Sequence, residues 1–330
     1  MKIGKLSESA LQKVVFEQLH TRRDEVLVGP GIGEDCAALK LQEGEVFVTS
    51  TDPITGTVKE IGRLAVHVTA NDLASAGAET IGLMVTALLP PMIKEAQIKK
   101  MMQQINAECE KLNIMVLGGH TEITAAVTQP VLSVTGIGKV KEDELILSGG
   151  AKPGQDIVVT KYLGMEGTGI IANEKEDELK EWFSDTFIDD AKAFLDDISV
   201  VPEGLIARKY ASCMHDITES GVYGALWEIS KASGVGVEVC IEDIPLRQHT
   251  IEFCERYDLN PYQLISSGSM LITTDHGRTL VNELEGIKAT IIGHTTDSRD
   301  KVIYRQGKAA NLEAPRQDEL YKIYSENNRR

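Results

Sequence analysis

The sequence predicts an α+β protein of two units, each built on a mixed sheet. Its 330 residues amount to about two domains at ~100–200 residues each. Helical and strand patterns alternate in both halves, but not in strict strand–helix–strand order, which argues against one doubly wound parallel sheet. Ser148-Gly149-Gly150-Ala151-Lys152-Pro153-Gly154 reads as a hinge, so the expected domains are 1–150 and 151–330. A composition that is 42% hydrophobic and 25% charged is that of a globular chain, long enough to bury its core without covalent staples.

In chain order, Ser9 with Gln12 resembles a capping box ahead of Leu11, Val14, Val15 and Leu19, so a helix is expected over 8–20. Gly29-Pro30-Gly31-Ile32-Gly33-Glu34-Asp35 is a glycine-rich loop ending in acids. Val46–Ser50 reads as a buried strand delivering Thr51, Asp52 and Pro53. Helices are expected over 58–76 and 93–112, the second with Ile98, Met101, Met102, Ile105, Cys109 and Leu112 on one face. Strand 114–117 ends at Gly118-Gly119-His120-Thr121-Glu122, and strand 131–137 follows. Beyond the hinge lies strand 157–160. Residues 174–197 hold ten acids and three lysines and read as an exposed acidic helix, a solvated face. Ser220 is expected to cap a helix with Val222, Leu226 and Ile229 inward. Strands 235–241, 269–274 and 288–293, with helices near 248–257 and 276–285, complete the second domain. The last fifteen residues are polar and are expected to trail over the surface.

Composition excludes several function classes. A net charge of −16 repels phosphate backbones, and 5% aromatics leave few stacking platforms, so no nucleic-acid partner is expected. Cys36, Cys109, Cys213, Cys240 and Cys254 are widely spaced and odd in number, which fits neither a disulfide framework nor a zinc site. The N-terminus has no apolar signal core, and the run from Ile81 to Ile93 is broken by Pro90-Pro91. The chain is therefore expected to be cytoplasmic, without a membrane partner. No P-loop, G-x-G-x-x-G, H-E-x-x-H or G-x-S-x-G pattern occurs.

The chemistry sits in acids. Asp35 ends the glycine-rich loop, Asp52 ends a strand and Asp216 precedes a helix. Asp72 shares a helix face with Ile61, Ala65 and Val68, and an acid on an apolar stripe is costly unless it is paired or binds a metal. Hard oxygen donors without a histidine cluster suit Mg²⁺, which usually arrives with phosphates. Each acid also has a plain structural reading as a turn, bend, ion pair or N-cap. His120 could equally be a hydrogen-bonded structural residue, and Glu122 a metal or base residue or a solvated turn.

Taken in order, Gly31-Ile32-Gly33-Glu34-Asp35, Ser50-Thr51-Asp52-Pro53, the stretch Gly62–Gly77 with Asn71-Asp72, Gly118-Gly119-His120-Thr121 and His215-Asp216-Ile217-Thr218-Glu219-Ser220-Gly221 resemble one superfamily. It contains aminoimidazole ribonucleotide (AIR) synthase, selenophosphate synthetase, thiamine-monophosphate kinase and the hydrogenase-maturation factor HypE, the branch most similar to this chain. The resemblance implies a two-domain AIR-synthase-like fold: an N-terminal domain with a mixed sheet that pairs with its twin to form a dimeric β-barrel, and a C-terminal α/β domain with a mixed sheet. It implies ATP in a cleft between the domains. Asp35, Asp52, Asp72 and Asp216 would hold Mg²⁺. Gly31, Gly33, Asn71, Gly118, Gly119 and Thr121 would bind the nucleotide, and His120 and Glu122 would be catalytic. The implied activity is activation of an oxygen by phosphoryl transfer from ATP to a small molecule or a modified protein side chain, as in hydrogenase maturation.

The chain also departs from these relatives. HypE carries a terminal Cys, whereas no Cys follows Cys254 here, and its Glu-Gly-Lys stretch is matched by Ser267-Gly268-Ser269. Three readings therefore stand side by side: an ATP- and Mg²⁺-dependent enzyme, including a small-molecule kinase similar to thiamine-monophosphate kinase; a non-catalytic nucleotide-binding accessory protein that works with a partner; and a protein whose acids serve only as caps and turns.

Overall fold

Period-two burial along the strands and one almost wholly buried helix decide how the first unit is built. The structure, a computed structural model, describes residues 3–32, 34, 36–55 and 60–325. The chain divides into Met1–Ala74 with Ala78–Leu145, and Ser75–Gly77 with Ile146–Arg330.

The first unit runs β1 (Gly4–Lys5), α1 (Glu8–Val14), β2 (Val26–Val28), β3 (Ala38–Leu39), β4 (Glu45–Ile54), α2 (Ile61–Ser75), β5 (Glu79–Leu89), α3 (Glu95–Leu112), β6 (Met115–Ile123) and β7 (Val131–Lys141). Five strands form a sheet in the order β1-β6-β5-β7-β4. Only β5 and β6 run parallel, with α3 connecting them. β2 and β3 form a separate hairpin.

The first helix is capped by Ser7, whose hydroxyl accepts from the Ala10 N–H, and not by Ser9. It ends at Val14 and a 3₁₀ turn over Phe16–Gln18 follows. Leu64, Ala65, Val66, Ala70, Leu73 and Ala74 of α2 are all buried, as are the polar His67, Thr69 and Asn71. A helix this enclosed must satisfy its polar groups internally. The His67 ring lies 3.1 Å from Glu108 of α3, which also accepts from Lys111. The face of α3 read from the sequence is the buried one.

β4 differs from expectation. It extends through Asp52 and Pro53, and it is not buried, because as an edge strand it pairs with β7 alone. Proline is tolerated on such an edge. Phe47, Thr49, Thr51 and Pro53 share an exposed face, while Val46 and Val48 pack towards Leu73 of α2. Side chains alternate along a strand, so Ser50 and Asp52 also point to the α2 side.

The second unit runs β8 (Asp156–Thr160), α4 (Met165–Glu174), α5 (Glu176–Leu179), α6 (Asp185–Lys192), α7 (Val201–Ala207), β9 (Cys213–Asp216), α8 (Gly221–Ser233), β10 (Gly236–Cys240), α9 (Gln248–Tyr257), β11 (Met270–Thr274), α10 (Gly277–Glu283), β12 (Ala289–Thr296), β13 (Lys301–Arg305), β14 (Lys308–Asn311) and α11 (Lys322–Ser325). Its seven-stranded sheet has the order β14-β13-β10-β12-β8-β11-β9. β10 and β13 are parallel and the remaining pairs antiparallel, so this sheet is mixed as well. Val222, Leu226 and Ile229 of α8 pack with Val159, Leu271 and Val237 of the sheet. A second core gathers Ile170, Ile188, Phe253 and Leu264.

Three expectations fail here and one element is new. The acidic stretch is not one helix: it breaks after Leu179, and Ser184 starts α6 by accepting from the Phe187 N–H. Ser220 makes no side-chain cap on α8. The hairpin of β13 and β14 was not anticipated. It closes on Gln306 and Gly307, both at positive φ, a primed turn without the usual Asn-Gly signal. Residues 316–325, the described part of the polar C-terminal stretch, do not trail. Asp318 and Glu319 are buried, and Leu320 and Ile323 join the core around Phe253. No described helix is long and apolar enough to cross a membrane.

Candidate functional site

The glycine-rich loop is the tip of the β2–β3 hairpin, and its stem is fixed electrostatically. Arg23 donates to both oxygens of Glu25, at 2.8 and 3.0 Å, and to Glu79 at 2.6 Å. Its other nitrogen donates to the Asn113 carbonyl at 2.9 Å. Lys139 on β7 adds a contact to Glu25 at 2.9 Å. The Arg23 guanidinium, helped by Lys139, holds the Glu25 carboxyl down at about 2. The sequence reading did not single out this network, since its members are scattered along the chain.

From that stem the loop reaches a cavity of about 580 Å³ within the first unit. Gly31 lines one side, and Gly118, Gly119, His120 and Thr121 of β6 line another. The β6 residues lie inside a strand and not after it, contrary to expectation. They are re-aimed by a bulge: Val116 pairs with Leu83, and Gly118 with the next residue, Met84. Gly119 has φ +142°, and a Cβ there would fall 1.9 Å from the Val85 carbonyl oxygen, so only glycine fits. His120 and Glu122 project on one side of the strand, their Nε2 and Oε2 atoms 3.0 Å apart. Leu11, Phe16 and Met84 give the cavity apolar walls. Of the residues expected to bind nucleotide, Asn71 does not line it, being fully buried in α2. Gly33 and Asp35 lie outside the described residues.

Asp52 and Asp72 meet at one hydroxyl. Ser50 donates a short hydrogen bond to Asp72 Oδ2 and lies 3.5 Å from Asp52 Oδ2. Both carboxylates are half-buried, so Asp72 is neither deeply buried nor alone on its stripe, as the helical period had suggested. Among the described residues no group of three or more His, Cys, Asp or Glu side chains forms a metal cluster. Two carboxylates are nonetheless a suitable donor set for Mg²⁺, which keeps several waters and takes its remaining ligands from phosphates.

Asp216 ends β9, in register with Met270. It is only 4% exposed. Its Oδ1 accepts from the Ser75 hydroxyl at 3.3 Å and faces His215 Nδ1 at 3.7 Å. Its Oδ2 is buried with no hydrogen-bond partner among the described residues. A buried carboxylate oxygen left unpaired is costly, and a cation would satisfy it. Burial works against a charged His215, yet Asp216 and Glu228 outweigh it and hold the ring up at about 9.

Sequence reasoning also missed Glu166 and Asp318. Glu166 is buried at the start of α4 and accepts from the Ser267 N–H at 3.1 Å. Burial pushes it up to about 7, against its hydrogen bonds from Ser267 and with the charges of Asp318 and Glu219. Burial likewise pushes Asp318 up to about 6. An acid at the start of an otherwise apolar helix was the one available signal for Glu166; nothing local marks Asp318.

Two units, each on a mixed sheet, one with a glycine-lined cavity, define the class. The model for the AIR synthase related protein, N-terminal domain, matches residues 33–140, and that for the C-terminal domain matches residues 152–305. The chain belongs to the AIR synthase related family. It is 25% identical over 315 residues to a protein of Methanocaldococcus jannaschii named as a candidate hydrogenase expression/formation protein, covering 91% of this chain and 90% of that one. Escherichia coli HypE, a hydrogenase maturation protein, has the same fold, with TM-score 0.81 at 20% identity over 96% of this chain and 100% of that one. A HypE structure in complex with ATP matches with TM-score 0.77 at 18% identity, covering 97% of each chain.

Proposed function

We propose that this chain binds ATP with Mg²⁺ and passes the terminal phosphoryl group to an oxygen of a small molecule or a modified protein side chain, as a HypE-like protein of hydrogenase maturation. The reading rests on the meeting of Gly31 with Gly118, Gly119, His120 and Thr121 around one cavity of about 580 Å³, a volume in the range of small-ligand sites. Backbone without side chains can approach phosphate oxygens closely and turn N–H groups towards them. Asp52 and Asp72 would hold Mg²⁺, oriented by the shared Ser50 hydroxyl, and Asp216 keeps the metal role the resemblance implies. Asp35 and Gly33 keep the roles the resemblance implies. The ion, when bound, neutralises charge on the phosphates. Glu122 orients the His120 ring, and the pair can take a proton from the acceptor oxygen. The apolar walls keep water from competing with the acceptor.

On this reading residues 1–150 form the nucleotide-binding and dimerisation domain, and 151–330 the C-terminal domain of a cytoplasmic homodimer. The exposed face of β4 with Phe47, Thr49 and Thr51 would pair with a second copy to form the dimeric barrel. A second reading, a nucleotide-binding accessory protein without turnover, is favoured by one observation. Ser267 and Ser269, which the resemblance sets against the Glu and Lys of HypE, are 1% and 0% exposed, with the Ser267 N–H spent on the Glu166 carboxylate and the Ser269 hydroxyl on the Tyr162 carbonyl. They are not available for chemistry.

Titrating ATP into the protein calorimetrically, with Mg²⁺ and then with EDTA, tests the binding. Micromolar affinity that needs Mg²⁺ and weakens at least tenfold in Asp72→Asn is expected. Absence of binding to the wild type sinks both nucleotide readings. Binding with no ADP release on any acceptor screened, hydrogenase-maturation partners included, selects the accessory role.

A further inference from the structure

The turn after Asp216 is held from the far end of the chain. Between β9 and α8 the backbone passes through Ser220 at φ +63° and Gly221 at φ +56°. Two successive left-handed residues are uncommon, and serine does not favour that region. A Cβ at Gly221 would lie 2.6 Å from the Tyr262 carbonyl oxygen. Such a backbone persists only where its surroundings over-determine it.

Those surroundings are residues 316–321. Asp318 Oδ2 accepts from the Ser220 N–H at 2.7 Å, and its Oδ1 accepts from the Leu320 N–H at 2.8 Å. The Ser220 hydroxyl donates to the Arg316 carbonyl at 2.7 Å, which is why it does not cap α8. Tyr321 donates to Glu219 at 3.0 Å. On the opposite side the Ile217 N–H donates to the Ser269 carbonyl at 2.9 Å, and the Ser266 N–H to the Thr218 carbonyl at 3.3 Å. Every residue from 217 to 220 is tied. A buried carboxylate with an unpartnered oxygen would relieve itself if its turn could shift. Asp216 keeps Oδ2 unpartnered among the described residues because the clamp removes that freedom.

We infer that Asp318 is a positioning residue: by gripping the Ser220 N–H it holds the Asp216 carboxylate in the one arrangement that receives the cation of a Mg²⁺–nucleoside triphosphate. This rests on the proposed role of Asp216 in Mg²⁺ binding.

The test uses full-length wild type, Asp216→Asn, Asp318→Ala, Asp318→Asn and Ser220→Ala. Each is titrated with ATP in Mg²⁺ and in EDTA, and amide exchange over 217–221 is followed by mass spectrometry. Asp318→Ala should speed exchange there and weaken Mg·ATP binding by ~10–100-fold, the usual cost of losing an outer-shell partner. It should leave ATP affinity in EDTA unchanged. Asp318→Asn retains one carbonyl acceptor and should recover most of the affinity. Ser220→Ala, which loses a single hydrogen bond, should show an Mg²⁺-dependent loss of about 3-fold and decides the matter if Asp318→Ala does not fold. The inference is overturned if Asp216→Asn weakens Mg·ATP while Asp318→Ala does not, or if Asp318→Ala weakens binding equally with and without Mg²⁺. If Asp216→Asn itself leaves Mg·ATP affinity at the wild-type value, the assignment of Asp216 fails and the inference falls with it, whatever exchange shows.

Discussion

Glu166→Gln should stabilise the protein at alkaline pH and leave it nearly unchanged in acid. Glu166 is buried at the start of α4 with one backbone donor, the Ser267 N–H at 3.1 Å. Burial raises its pKa from 4.5 to about 7. Between those values the unfolded chain releases a proton that the folded chain keeps, so stability falls as pH rises through the window and stays lower above it. At ~1.4 kcal/mol per pH unit, the gap from 4.5 to about 7 is on the order of 3 kcal/mol. Glutamine has nearly the same shape and an oxygen for the Ser267 N–H, but no charge to desolvate. Urea unfolding at pH 5 and pH 8 checks this. The advantage of Glu166→Gln over wild type should grow by about 2–3 kcal/mol from the lower to the higher pH. An advantage that is the same at both would refute the argument that ionisation of a buried carboxyl sets it, and a loss at both would show that glutamine cannot replace the protonated acid sterically.

Arg23→Ala should cost about 2–3 kcal/mol in urea unfolding, because it removes the charged donor from Glu25, which keeps Lys139, and from the half-exposed Glu79, and frees the Asn113 carbonyl; a change below about 1 kcal/mol would mean that the hairpin stem is held by something else. His215→Gln should remove a decline in stability at high pH. The wild-type ring, held up at about 9 by Asp216 and Glu228 against burial, contributes stability that is fully present below about 6.5 and lost as pH rises through about 9, so the two melting curves should converge above pH 9.

Local periodicity made much of the fold legible. Helix α3 follows its stripe of Ile98, Met101, Ile105 and Cys109, and α9 falls where its pattern placed it. What escaped notice depends on distant partners. Val46–Ser50 has the composition of a buried strand, but burial is decided by what covers it, and β4 is an edge with an open face. The acidic stretch keeps a helical stripe through Phe183 and Phe187, yet those rings stack on each other and meet Phe253 tilted and edge-on across a break in the helix. At the candidate site, the residue types were readable and their grouping was not. The sequence does not say that Ser50 ties Asp52 to Asp72, that Asn71 does not line the cavity, or that Ser220 spends its hydroxyl on Arg316, 96 positions away.

The bulged strand β6 separates what can vary from what cannot, one residue at a time. At Gly119 any side chain collides with backbone only 1.9 Å away, so drift at that position is closed whatever ligand is favoured. One residue on, His120 stands half-open to the cavity, and an exchange there leaves the strand's pairing with β5 intact. Selection can therefore change the side chain offered to the cavity without renegotiating the scaffold that presents it. A lineage in which the glycine stays fixed while its neighbour changes is what such a division of labour within one strand would leave behind.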